Sequence, residues 1–209
     1  MLFRSGSATA CASTAAEKMV TNVSLDALPI GATSLNWSIT SGAGIVSSTG
    51  VLTARIEWAV GYTGTATISV VGSNASGLSA NAKSVDVTVY SRPTVTIEQV
   101  SKPADANSYT ACAGGVINLQ VKEKGYSYTW SISDSRFTLT AATNEQTGVT
   151  SPANSTLFPD IAAGILKNPK VSVTVKDTYG CFNTADQTLN FYRIPVTGSP
   201  YHIGNNISK

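Results

Sequence analysis

The tightest constraint on this chain is that its landmarks occur twice in the same order. ATACAS around Cys11 is answered by YTACAG around Cys112, 101 residues on, and SLNWSIT around Trp37 is answered by SYTWSIS around Trp130, 93 residues on. Downstream, GTATISVVGSN from Gly64 matches PKVSVTVKDTYG from Pro169, and SVDVTVYSRP from Ser84 matches DQTLNFYRIP from Asp186. The differences in spacing are loop length. A repeat of this period describes modules, each with its own core, rather than one catalytic unit.

The period within each module is two. Val85, Val87 and Val89 alternate with Asp86, Thr88 and Tyr90, and Val171, Val173 and Val175 alternate with Ser172, Thr174 and Lys176. That is the pattern of half-buried antiparallel strands. Charged residues are only 12% of the 209, and 26 Ser and 26 Thr supply the polarity instead. Such a composition suits strands and turns and leaves few helix formers. With SGAG, SSTG, SNASG and DTYG as turn signals, the sequence predicts an all-β chain of two tandem immunoglobulin-like β-sandwiches. Residues 1–92 form the first and 93–195 the second, joined stiffly where Pro93 holds Arg92 extended, and 196–209 are a linker or the start of a further module. Trp37 and Trp130 are expected to plug the two cores, each with an isoleucine two residues on along the same face.

The cysteines follow from that topology. Cys112 lies ahead of the expected second strand of its sandwich and Cys181 just past the expected sixth. These strands run in opposite directions, so the two thiols are expected at one end and within bridging reach. A Cys112–Cys181 bridge, 69 residues apart, contributes about 4 kcal/mol in the loop-entropy view and implies an oxidising compartment. Cys11 is then left as an unpaired thiol. Two reduced, buried thiols in a cytosolic protein remain the alternative, whereas three Cys and one His are too few for a zinc site.

Several stretches are familiar. NWSITSGAGIVSSTGVLTA with GYTGTATISVVGS resembles bacterial immunoglobulin-like repeats, and YSYTWSISDS with PKVSVTVKDTYGC resembles PKD-like modules. Tandem modules of this mixed kind resemble those of large secreted surface adhesins of Bacteroidota exported by the type IX system. The resemblance runs from about Ala8 to Pro195. Two stretches depart from it: ARIEW before Ala59 reads as a small insertion, and RFTLTAATNEQTG stands where the first module has SSTGVLTA. The second departure leaves the strand count between Trp130 and Pro169 open. The resemblance implies an extracellular or cell-surface location, and a chain that begins and ends inside a longer array. Accordingly MLFRSGSATACASTA offers only Leu2 and Phe3 where a signal peptide needs an apolar core of about 7–15 residues.

Chemistry has little foothold. The one histidine, His202, lies in the trailing PYHIGNN, and no nucleotide, redox or zinc motif is written. Asp134, Asp160, Asp177 and Asp186 are the carboxylates from which an acid pair would have to be drawn, but isolated acids at strand ends are ordinarily turn formers. Asp134 and Asp177 would be the calcium ligands, yet no calcium-loop pattern accompanies them. No cofactor or metal is expected. A net charge of +2 without a basic cluster points away from nucleic acid, and no apolar run is long enough to insert in a membrane. The remaining candidate for contact with a glycan is Glu57, Trp58 and Tyr62, aromatics beside a carboxylate next to an expected loop, although Trp58 reads more readily as a cover for the core edge. The expected function is non-enzymatic: rigid spacers and weak multivalent binders whose partners are neighbouring modules, surface glycans or other cell-surface proteins. The alternative is an accessory carbohydrate-binding module of a secreted polysaccharide-degrading enzyme.

Overall fold

The computed structural model describes residues 3–5, 9–78, 82–100, 109–157 and 166–194. The chain divides into two compact units. Unit 1 comprises Met1–Thr94 and Lys176–Asn183, and unit 2 comprises Val95–Val175 and Thr184–Lys209. Among the described residues the structure is all-β, apart from one helical turn, α1 (Asn154–Leu157).

Unit 1 contains β1 (Phe3–Ser5), β2 (Thr9–Cys11), β3 (Val20–Leu25), β4 (Ser34–Ser41), β5 (Gly44–Ser48), β6 (Thr53–Trp58), β7 (Gly64–Asn74), β8 (Gly77–Leu78) and β9 (Lys83–Tyr90). One sheet has the order β1-β3-β6-β5; the other has β2-β9-β7-β4, with β8 paired to β7. This is the immunoglobulin strand order, with β2 running parallel to β9 as a short first-strand extension in the second sheet. Strand alternation builds the core: Val23, Ala54, Ile56, Ala66, Ile68, Val87 and Val89 all point inward.

Unit 2 contains β10 (Ile97–Gln99), β11 (Thr110–Cys112), β12 (Val116–Val121), β13 (Ser127–Ile132), β14 (Thr138–Leu139), β15 (Gln146–Thr150), β16 (Leu166–Lys167), β17 (Lys170–Lys176), β18 (Phe182–Thr188) and β19 (Asn190–Tyr192). The sheet β10-β12-β15-β14 repeats the order of the first sheet of unit 1, and the remaining strands form β13-β17-β18 and β11-β19-β16. β18 and β19 are two halves of one extended run interrupted at Leu189, which is fully buried and donates its N–H to Pro169 O at 2.9 Å. Between Trp130 and Pro169 the described strands are therefore β14, β15 and β16.

Two sequence expectations need correction here. ARIEW is no insertion, because Thr53–Trp58 is β6, hydrogen-bonded on both sides to β3 and β5. Nor is Trp37 the plug of its core. It is half-buried on β4, at the edge of its sheet, and packs on the core from there. The buried indole of unit 1 is Trp58, only 2% exposed, with Nε1 donating to Thr21 Oγ1 at 2.8 Å. Small neighbours make the room, since Ala54 and Ala66 bring the backbone close where larger residues would compete for the space. In unit 2, Trp130 is 3% exposed, and its Nε1 donates to Asn144 O at 2.8 Å. The segment around Ala142 and Asn144 closes over β13, with Trp130 N–H donating to Ala142 O at 2.7 Å.

The burial difference sets an order of mutational cost. Trp58→Ala and Trp130→Ala are each expected to destabilise their unit by about 3–5 kcal/mol, through the cavity and the orphaned hydrogen-bond partner, and Trp37→Ala by clearly less. Urea unfolding followed by amide NMR in each unit checks the order, and equal losses at Trp37 and Trp58 would refute it.

Candidate functional site

The expected glycan face does not form. Alternation along β6 places Trp58 inside and Glu57 outside, so the two side chains cannot share a platform. Tyr62 lies 6.1 Å from the Trp58 ring at 17°, half-buried, with its hydroxyl donating to Thr65 O at 2.9 Å. Glu57 accepts a hydrogen bond from Lys18 Nζ at 2.5 Å, and that bond holds its carboxyl below the usual range. A hollow of about 240 Å³ beside these residues is lined by Lys18, Gly44, Ile45, Glu57, Ala59 and Val60. It offers no free aromatic face, because the indole that borders it is spent on the core.

The acids are likewise engaged. Asp134 accepts Arg136 Nε at 3.0 Å and Nη2 at 2.5 Å, and also the Arg136 backbone N–H, so it closes a local turn and its pKa is lowered chiefly by that guanidinium. Asp186 receives Lys170 Nζ at 2.7 Å, which lowers its pKa in the same way. Asp177 Oδ1 accepts the N–H of Tyr179 at 2.9 Å and of Cys181 at 2.8 Å. Asp160 and His202 lie outside the described residues. Among the described residues no three His, Cys, Asp or Glu side chains are grouped to hold a metal.

The cysteines depart most from the sequence reading. The bridge joins Cys11 to Cys181, with Cα atoms 5.4 Å apart, and the free, exposed thiol is Cys112. The expected Cys112–Cys181 pair fails because Cys112 does not stand at the mouth of β12. It ends β11, a separate short strand in the β19 sheet, paired in parallel with Cys112 opposite Tyr192. Cys181 follows a tight turn, Asp177 to Cys181, that belongs to unit 1 although β17 and β18, which it connects, run on into unit 2. The motif Asp-Thr-Tyr-Gly-Cys has a reason at each place. Asp177 caps two backbone donors, its own N–H reaches Cys181 O at 2.9 Å, and Gly180 supplies a φ of 87° that other residues adopt at a cost. Cys181 is then fully buried.

Around this bond unit 1 builds a brace. Tyr179 stacks on Tyr90 with centroids 3.8 Å apart at 8°, and Tyr90 is the register partner of Cys11. Arg92, its side chain only 9% exposed, donates Nε to Ala12 O at 2.9 Å and Nη1 to Phe182 O at 3.0 Å. It thus holds the carbonyls next to both cysteines, with its guanidinium 5.2 Å from the Phe182 ring. Nη2 lies 2.9 Å from Glu17 Oε2, an ion pair whose angle is not that of a hydrogen bond. Asn183 Nδ2 donates to Pro93 O at 3.1 Å. The sequence reading saw Arg92 only as a residue stiffened by Pro93; an arginine inside a repeated landmark of a charge-poor chain was the available signal. Over a separation of 170 residues the bond is worth about 5 kcal/mol in the loop-entropy view.

No family model matches this chain, and no curated protein matches it. Among solved structures it is similar to the adhesin InvE of Yersinia pseudotuberculosis, at 16% identity over 90% of this chain and 58% of that one, with a TM-score of 0.30. It is also similar to the fibronectin(III)-like modules of CbhA from Clostridium thermocellum, at 10% identity over 92% and 94% with a TM-score of 0.39. The D00-D0 domain of intimin gives 13% identity over 90% and 98%, with a TM-score of 0.35. At such values the likenesses carry no functional argument, which rests on the residues themselves.

Two outcomes are expected. Peptide mapping without reduction should recover Cys11 linked to Cys181, while maleimide labels Cys112 in the folded protein; a Cys112–Cys181 peptide would overturn the pairing. The Asp134 carboxyl should titrate below an ordinary aspartate. Since its folded pKa is depressed, its contribution to stability is present above the unfolded pKa and is lost as pH falls through the folded value. Asp134→Asn should therefore flatten the acid limb of stability against pH, read from urea midpoints.

Proposed function

We propose that this chain is a non-catalytic, force-bearing spacer segment of an extracellular surface protein, of the kind found in modular adhesins of Bacteroidota. The observation that carries the reading is the Cys11–Cys181 bond, which closes a loop holding the whole of unit 1 beyond Cys11 and all of unit 2 as far as Val175. Tension entering ahead of Cys11 and leaving beyond Cys181 crosses the chain through that bond. It then runs along β18 and β19, a run that is already extended and has little length left to give. Every buried residue of the unit 1 core, and every one of the unit 2 core except Leu189 and Phe191, lies between the two cysteines and stays out of the load path. A Cys112–Cys181 bond would instead have left unit 1 exposed to unravelling.

Such a bond persists in an oxidising compartment, which supports an extracellular or cell-surface location. Capture of partners is then assigned to weak contacts with surface glycans or other cell-surface proteins, multiplied along an array. The carbohydrate-module reading loses its carrier, because Trp58 is inside the core.

Single-molecule stretching of the oxidised chain between handles at its two ends tests the proposal. Residues 1–10 and 182–209 should account for the whole gain in contour length, at most roughly 130 Å. Dithiol reductant added under force should then release a single further step of roughly 580 Å from the 170-residue loop. Long unfolding steps before any reductant is added would defeat the reading, as would saturable hydrolysis of a polysaccharide panel that is lost in Asp134→Asn or Asp177→Asn.

A further inference from the structure

We infer that Cys112, together with Tyr192 and Ile194, is the receiving half of a second disulfide junction, whose donor is an Asp-x-x-Gly-Cys hairpin turn from a further module of the same array. The inference takes the identity of its partner from the array reading above. Its basis is that the cradle which holds Cys11 is built twice, and only one of the two is covered.

The duplication is physical as well as textual. β2 and β11 are both Thr-Ala-Cys. Each pairs in parallel with the closing strand of its unit, and each cysteine stands opposite a tyrosine: Cys11 opposite Tyr90, Cys112 opposite Tyr192. The next residue repeats the same backbone bond, Ala12 N–H to Tyr90 O at 2.8 Å and Ala113 N–H to Tyr192 O at 2.9 Å. Both alanines are buried. In unit 1 the cradle is filled: Cys11 is bonded to Cys181, and Tyr179 lies flat on the half-buried Tyr90. In unit 2 Cys112 is a free, exposed thiol, Tyr192 is 40% exposed and Ile194 is 44% exposed. The exposed Tyr192 ring beside a free thiol corresponds to the Tyr90 ring that Tyr179 covers beside Cys11 in the other copy.

The identity of the donor follows from what each turn carries. The turn between β7 and β8 has Ala75 and Ser76 and no cysteine, so unit 1 receives a bond without donating one. The one Asp-x-x-Gly-Cys turn in this chain is already spent on Cys11. The occupant of the Cys112 cradle must come from elsewhere in an array. Formation of the junction joins two thiols as one disulfide, and the two electrons and two protons pass to a disulfide oxidant of the export compartment, which leaves as two thiols. One element is not duplicated. The place of Arg92, two residues past the tyrosine, is taken by Ile194, while an arginine, Arg193, stands one residue earlier.

Disulfide exchange with a peptide tests this. The oxidised chain is equilibrated in glutathione buffer with the hairpin peptide KVSVTVKDTYGCFNTADQT, and in parallel with a scrambled peptide keeping its single cysteine. The hairpin is expected to form the mixed disulfide at Cys112 about three- to tenfold more favourably, the worth of one aromatic stack, and Tyr192→Ala should abolish the preference. Equal yields with the two peptides overturn the inference, as does hairpin capture at Cys11 with none at Cys112. Because this readout involves no force, a spacer that fails the stretching test and a cradle that fails the exchange test remain distinguishable.

Discussion

Unit 1 depends on a turn of five residues. Asp177 spends one carboxylate oxygen on two backbone donors, Gly180 takes the left-handed conformation, and together they present Cys181 at the tip. With that tip in place, the Cys11 strand, the Tyr90 ring and the Arg92 guanidinium each acquire a partner. Without it Arg92 would be a nearly buried cation facing carbonyls on one side only, an arrangement that proteins avoid. The covalent bond and the polar brace therefore support each other. Arg92 fixes the geometry in which the two sulfurs meet, and the bond keeps Phe182 within reach of the guanidinium.

The remaining ion pairs sit on the surface. Lys18 with Glu57, Lys170 with Asp186 and Lys124 with Glu145 all keep much of their area in water, where such pairs contribute about 1 kcal/mol or less. Each engages a carboxylate, and Asp134 and Asp177 are likewise held by donors of their own turns.

What could be read from the sequence was whatever depends on period and order. Alternating valines fixed which face of β9 and β17 is core, and the Thr-Ala-Cys and tryptophan landmarks fixed which strands correspond. Trp130 could be placed from its neighbours because its strand has a closing segment. Trp37 could not, because whether an indole on an edge strand is covered depends on which other side chain has claimed the space, and Trp58 had claimed it. The repeat alignment contained no counterpart for Trp58, so it was read as a cover for the edge of the core rather than as the buried indole at its centre. The cysteine pairing failed for a related reason. Sequence order placed Cys112 ahead of β12, but the three residues 113–115 between them were enough to put it on a strand of the opposite sheet.

That misplacement carries a lesson about repeats joined by covalent bonds. Had the bridge been internal to the second module, as the sequence reading expected with Cys112 and Cys181, the pair would lie within one landmark period and the first module would carry no covalent closure. The observed bond spans 170 residues, well beyond one period of 101. A bond longer than the repeat cannot be internal to the repeat. It joins the Thr-Ala-Cys landmark of the first repeat to the turn of the second, and Cys112, the same landmark in the second repeat, is left as an exposed thiol beside Tyr192.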